Sequence, residues 1–264
     1  MKPLLAKVPP SLKSVVRQPR VLLKREHERR REFGHCGDFG DIIYSLPTIR
    51  AAGGGILYLS KAKNTTLPMT WYRMKIIRPL LLKQPYIDDV LYWYDDSKVT
   101  NLNNFRDHYA PGRNLVEMHL ATEGFGPEHG KTAWLQVRPK KSRPVIIGRS
   151  PRYRNPAFPW KRVLENYGSK AYFVGLPSEH AAFCAEVGEV EHYPTRDFLE
   201  AAQLIAGSEL YIGNQSANFA LAEGLKANAV LEVCPGFANC SFQRPNLILG
   251  LDENVQLPRL TGAE

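Results

Sequence analysis

From residue 145 onward, short apolar runs alternate with segments of helical period at intervals of roughly ten residues. Val145-Ile146-Ile147, Ala171 to Gly175, Val190 to Tyr193, Glu209 to Gly213 and Ala229 to Val233 read as strands. Trp160 to Tyr167, Ser178 to Val187, Asp197 to Gly207 and Ser216 to Lys226 read as the helices between them, and Phe198, Ala201, Ala202 and Ile205 fall on one face of the third. Strands alternating with helices of this length predict a parallel, doubly wound sheet.

The first half carries the same rhythm less cleanly. Arg31 to Cys36 is a weak strand candidate, supported by the loop and helix that follow it. Ile42, Ile43, Leu46 and Ile49 give that helix its apolar stripe. Pro47 lies beyond the first turn, where it should kink the helix. Gly53-Gly54-Gly55 ends the helix, and Ile56 to Leu59 reads as a buried strand. A helix is expected over Trp71 to Lys83, a strand over Asp88 to Tyr94, a polar stretch around residues 101–108 and a helix over Asn114 to Glu123. Residues 124–144 carry Gly124, Gly126, Pro127, Gly130, Pro139 and Pro144 among basic residues and form the best linker in the chain. The expected architecture is α/β, with a basic arm over 1–32 and two Rossmann-like units over 33–140 and 141–264.

Composition narrows the class. The 264 residues are 44% apolar and 23% charged, ordinary proportions for a globular protein. No apolar run is long enough to span a bilayer. The N-terminus lacks an apolar core followed by a small-residue cleavage site, which argues against secretion. Four cysteines (Cys36, Cys184, Cys234, Cys240) are few, which suits a reducing cytoplasm. Cys234 and Cys240 have no second close pair beside them, which disfavours zinc. Of the net charge of +9, residues 1–32 supply +7, from ten Lys/Arg against Glu26, Glu28 and Glu32. Such an arm favours a polyanion, nucleic acid or an anionic surface. A solvated extension, or one packed on the body through Leu22 and Leu23, accounts for it equally well.

Three loops carry candidate chemistry. Cys36-Gly37-Asp38-Phe39-Gly40-Asp41 places two carboxylates ahead of a helix, at the carboxyl end of a strand, where open parallel sheets hold ligands. Asp41 there is either a proton acceptor in a cleft or simply the N-cap of the helix. Gly213-Asn214-Gln215-Ser216-Ala217-Asn218 joins a strand to a helix, and small residues with free N–H donors at a helix N-terminus suit a diphosphate. Arg149, Arg152 and Arg154 share one loop after the strand at 145–147, and arginine forks match phosphate oxygens. The same loop types also occur as plain caps and solvated turns.

Two of these motifs carry a resemblance. Gly40-Asp41-Ile42-Ile43-Tyr44-Ser45-Leu46-Pro47 and Tyr211-Ile212-Gly213-Asn214-Gln215-Ser216, continued by Leu221-Ala222-Glu223-Gly224, resemble glycosyltransferase family nine, the heptosyltransferase-like enzymes of GT-B fold. The likeness runs from about residue 33 to 235. It implies a two-domain, inverting, metal-independent transferase with no cofactor beyond its co-substrate, a nucleotide-diphospho-sugar. Asp41 falls at the position of the general base. Donor contacts are expected from Arg149, Arg152, Arg154, Gly213, Asn214, Gln215, Ser216, Ala217 and Glu223, and acceptor contacts from Asp38, Tyr44, Asn104 and Arg106. Where the family has an acid, a glycine and a histidine, this chain has Gln215, Ala217 and Ala220, so its contacts to nucleotide or sugar differ. The acceptor is expected to be a glycan or, through the basic arm, a hydroxylated base in DNA. The alternative is a catalytically inactive module of the same fold that binds a polyanion.

Overall fold

The computed structural model describes residues 31–60, 69–92 and 99–261. The basic arm, up to residue 30, lies outside them, as do the last two residues of the strand expected to end at Tyr94. Two all-parallel sheets form. The first contains β1 (Glu32–His35), β2 (Gly55–Leu59), β3 (Ile87–Tyr92) and β4 (Thr100–Asn101), in the order β3-β2-β1-β4. The second contains β5 (Val145–Gly148), β6 (Ala171–Phe173), β7 (Glu191–His192), β8 (Leu210–Asn214), β9 (Ala229–Glu232) and β10 (Leu247–Gly250), in the order β10-β9-β8-β5-β6-β7. This is the doubly wound arrangement that the strand–helix rhythm predicts. β10 was not expected, although Leu247-Ile248-Leu249 between Asn246 and Gly250 carries the signal of a short buried strand.

The helices are α1 (Phe39–Ala51), α2 (Trp71–Leu81), α3 (Leu115–Ala121), α4 (Trp160–Tyr167), α5 (Pro177–Glu186), α6 (Phe198–Ala206) and α7 (Ala217–Leu225). Several open on side-chain caps. Thr70 accepts from Arg73 N at 3.2 Å, Asp197 from Glu200 N at 2.8 Å, and Asn114 and Glu117 form a capping box. The polar stretch after β4 is a short 3₁₀ helix over Leu102–His108. Gly54 takes a positive φ, and a Cβ there would stand 2.6 Å from the Tyr86 carbonyl oxygen, so the turn between α1 and β2 needs a glycine.

Alternation along β5 divides the core. Val145 and Ile147 pack with Phe158, Trp160, Phe173 and Phe183 on one face of the second sheet. Ile146 faces a larger cluster that runs without a break into the first half, through Phe219 and Leu221 of α7 to Ile42, Leu46 and Ile49 of α1. α1 packs on α7, and α2 packs on α6.

α1 continues through Pro47, and the carbonyl that the missing N–H leaves open, that of Ile43, accepts from Trp134 Nε1 at 3.1 Å. The segment expected as the linker, 124–144, connects the two sheets and packs against both halves. Trp134 and Leu135 are buried and donate their backbone N–H groups to Gly224 O at 2.9 and 3.0 Å. Arg50 of α1 holds Ala133 O, and Lys140 holds Glu200 of α6, with donor–acceptor distances of 2.6 and 2.5 Å. Its glycines and prolines gave it the composition of a linker, while its few apolar residues seat it between the halves.

Candidate functional site

In each sheet the strand order reverses next to the first strand, between β1 and β4 and between β5 and β8. Loops diverge at such a point and leave a crevice at the carboxyl ends of the strands. The loop of Asp38 and Asp41 leaves β1, and Arg106 follows β4. The arginine loop leaves β5, and Asn214-Gln215-Ser216 ends β8 and opens α7. The two crevices adjoin, because a Cβ on Gly40 would lie 4.0 Å from the Cα of Ala217, where α1 and α7 begin.

Asp41 is in the first turn of α1, and the N-cap position belongs to Asp38, so Asp41 is not the helix cap. Its side chain is 14% exposed and pairs with Arg106, whose Nη2 donates to Oδ2 at 3.3 Å. Burial raises its pKa above the usual carboxylate value, while the Arg106 charge and hydrogen bond oppose that rise and Asp38 adds to it. Arg106 stands 4.4 Å over the Phe105 ring, which orients the guanidinium. A Cβ on Gly37 would lie 2.7 Å from His35 Cε1 and 3.1 Å from Asp41 Oδ2, so this glycine lets the loop fold tightly over His35. Behind the loop, His35, Phe105 and His119 stack in the core. His35 is held neutral, its pKa lowered to about 3 by burial, and burial also drives that of His119 well down. Asn103 fixes the start of the loop by accepting from Cys36 N at 2.7 Å.

The arginine loop separates into two classes. Arg149 is buried and gives Nε and Nη2 to Glu232 at 3.0 and 3.1 Å and Nη1 to Glu186 at 2.8 Å. Glu232 also accepts from Asn155 N at 2.7 Å and Trp160 Nε1 at 3.0 Å. Arg149 is therefore committed to carboxylates inside the fold. Arg154 gives Nη1 to Glu186 at 2.7 Å and stays partly exposed. Arg152, 56% exposed, reaches across the crevice and donates to Asp38 Oδ2 at 3.2 Å.

The motif opening α7 is braced rather than open. Asn214 accepts from Ser150 N at 2.9 Å and donates to Ser150 O and Arg152 O at 3.0 and 2.5 Å, which pins the arginine loop. Tyr153 in that loop holds φ 54, a strained position for a non-glycine residue. Gln215 donates to Phe237 O at 2.5 Å and accepts from Cys234 N at 2.8 Å, so it ties down the loop after β9. A Cβ on Gly213 would lie 2.3 Å from both the Gly148 carbonyl oxygen and the Tyr211 hydroxyl, so this position needs a glycine. Ser216 is the N-cap residue of α7, and Ala217 begins it.

No protein-family model matches the sequence, and no curated protein matches it either. Solved structures do match. A glycosyl transferase family 9 structure from Veillonella parvula aligns with 84% of this chain and 85% of its own at a TM-score of 0.56 and 11% identity. The E. coli heptosyltransferase WaaC, in complex with ADP-2-deoxy-2-fluoro heptose, aligns with 85% of this chain and 95% of its own, at a TM-score of 0.52 and 11% identity. E. coli ADP-heptose lps heptosyltransferase II aligns over 89% and 91%, at a TM-score of 0.55 and 14% identity. The chain has a heptosyltransferase-like fold.

Within that fold the remaining expected contacts separate clearly. Glu223 is fully buried and paired with Lys226 and with Arg244 Nε at 2.8 Å. Tyr44 is buried too, its hydroxyl 3.7 Å from Cys240 Sγ. Asn104 is exposed and accepts from Asn101 Nδ2 at 3.4 Å, in the same short helix as Arg106. Among the described residues, no three His, Cys, Asp or Glu side chains converge on a possible metal position, and no helix is long and apolar enough to cross a membrane. Arg73, Asn103 and Glu232 shape the site and were missed. Arg73 lies in a basic, aromatic helix, and nothing local marks it as facing Asp38.

Proposed function

We propose that the chain is a glycosyltransferase that moves a sugar from a nucleotide-diphospho-sugar to an acceptor hydroxyl, with inversion and without a catalytic metal. The observation that carries this reading is the position of Asp41, largely buried at the start of α1, with the start of α7 directly opposite. The Asp41 carboxylate takes the acceptor's proton as its oxygen attacks the anomeric carbon. The bond from that carbon to the diphosphate breaks, and the diphosphate leaves with the electron pair. Arg152, aided by Arg154, and the N–H groups at the start of α7 stabilise its charge. The fold shared with the heptosyltransferases supports a sugar nucleotide as donor.

The acceptor classes retained are a glycan and a hydroxylated base in DNA, the second resting on the charge of the arm alone. Deleting residues 1–30 separates them. If DNA is the acceptor, the truncated protein binds it more weakly, and the log–log salt slope falls by about 0.9 for each phosphate that the arm no longer neutralises. Gln215 favours the inactive module as a second reading, because its amide is committed to Phe237 and Cys234. A screen of nucleotide sugars for thermal stabilisation tests the main proposal, since a ligand that binds only the folded state raises the melting temperature. A stabilising sugar nucleotide that is turned over by the protein and not by Asp41→Asn supports the transferase. Stabilisation by none of them overturns it.

A further inference from the structure

Asp38 lies between two arginines from opposite halves of the chain. Its Oδ1 is 3.6 Å from Arg73 Nη2, and its Oδ2 accepts from Arg152 Nη1 and Nη2, both at 3.2 Å. Asp38 is the N-cap residue of α1, yet its side chain makes no cap hydrogen bond. The carboxylate forgoes the bond that cap residues ordinarily form and faces the two guanidiniums instead.

The Arg73 guanidinium and the backbone of the Arg152 loop are each braced from behind. Arg73 is 20% exposed and sits 4.5 Å over the Phe39 ring, which itself packs 4.6 Å from the Phe198 ring of α6. Arg152 belongs to the loop that Asn214 pins through the carbonyls of Ser150 and Arg152. No cap bond holds the carboxylate, so its release breaks only the contacts with the two guanidiniums. A carboxylate offers two oxygens on one carbon. A diphosphate offers more charge and more acceptor oxygens over a longer span, and so can engage both guanidiniums at once.

We propose that Arg73 and Arg152 form an anion site across the crevice for the diphosphate of the donor, and that the Asp38 carboxylate occupies this site as an internal competitor. The inference rests on the transferase reading above. It makes Arg73 a donor contact from the acceptor half, and it moves Asp38 from an acceptor contact to a gate on donor affinity. It also fixes an unusual sign: removing the acidic side chain tightens phosphate binding.

Calorimetric titration with inorganic pyrophosphate, and with ADP, UDP and GDP separately, compares the full-length chain with Asp38→Asn and Arg73→Gln. Asn retains capping ability and no existing cap bond is removed, so Asp38→Asn keeps its fold. It should bind pyrophosphate about two- to fivefold tighter, the range of one exposed ion pair. Arg73→Gln should bind it about tenfold more weakly. Unchanged or weaker binding by Asp38→Asn, unchanged binding by Arg73→Gln, or no pyrophosphate binding by either the parent or Asp38→Asn overturns the proposal. If the parent binds one of the nucleotides while both variants match it, the cross-crevice site falls and the transferase reading stands. If no sugar nucleotide stabilises the parent while Asp38→Asn gains pyrophosphate affinity, the site stands and the transferase reading falls.

Discussion

At the end of β5 the Arg149 side chain is 3% exposed and all three of its donor nitrogens that face carboxylates are paired, two of them with the fully buried Glu232. At the end of β4 the Arg106 side chain is 68% exposed and pairs with Asp41. Both arginines stand at the strand-order reversal of a parallel sheet, where ligands bind in such folds, yet only the second keeps donors toward the crevice. Position at the switch point is therefore not sufficient. All of these charges are paired with an opposite one, and what distinguishes the two arginines is that the fold encloses Arg149 and leaves Arg106 exposed. The same contrast separates Arg152 from Arg149 within one loop, and Asp41 from Glu223.

The largest effect expected from breaking this comparison is on Asp41. Asp41→Asn should lower transfer by about 10²–10⁴-fold while donor affinity stays near that of the parent. Steady-state turnover at saturating donor, with calorimetric donor binding alongside, measures both. Turnover equal to the parent's would return Asp41 to a purely structural role. On the other side of the comparison, Glu232→Ala should destabilise the fold by about 3–5 kcal/mol, since it removes the buried partner of Arg149 Nε and Nη2. Denaturant unfolding monitors this, and a destabilisation under about 1 kcal/mol would mean that water already reaches the pair.

Arg152→Ala and Arg149→Ala sharpen the contrast inside one loop. The first should weaken nucleoside diphosphate binding about ten- to a hundredfold and leave the melting temperature close to the parent's. The second should lower the melting temperature. Reversed outcomes would exchange the roles assigned to the two residues. The smallest effect concerns pH. Asp41 is raised by burial and partly restrained by Arg106, so activity should fall on the acid side with an apparent pKa above the ordinary carboxylate value. Arg106→Gln removes the restraint and should move that acid limb upward. A downward shift would show that Arg106 does not face Asp41 during turnover.

Most of the architecture was legible in the chain, because strands such as Val145-Ile146-Ile147 and helices such as Asp197 to Gly207 carry period and cap together. β10 escaped because Leu247-Ile248-Leu249 follows a loop with no helix between it and β9 that a βαβ reading would look for. The donor that satisfies the carbonyl left open by Pro47, Trp134, was not legible because it is distant in sequence. The site was legible as two motifs, but not as partners. Glu232, which decides the fate of Arg149, is the last residue of an apolar strand and looks like any strand end. Gln215 had a local signal only as a departure from a resembling family, and its bracing of Phe237 and Cys234 needs three dimensions. Long-range pairing of charges is what a single sequence hides.

The indole of Trp134 reaches α1 while the backbone of the same residue and of Leu135 reaches the end of α7, and the buried cluster runs through that junction. Cooperativity follows from this stitching. A segment that satisfies the open carbonyl of one half and caps a helix of the other cannot melt with only one of them, so the two sheets should share a single calorimetric transition, with calorimetric and van't Hoff enthalpies in agreement. A chain cut after residue 140 should yield fragments that are unfolded apart and regain structure only when mixed, even though each contains a complete parallel sheet.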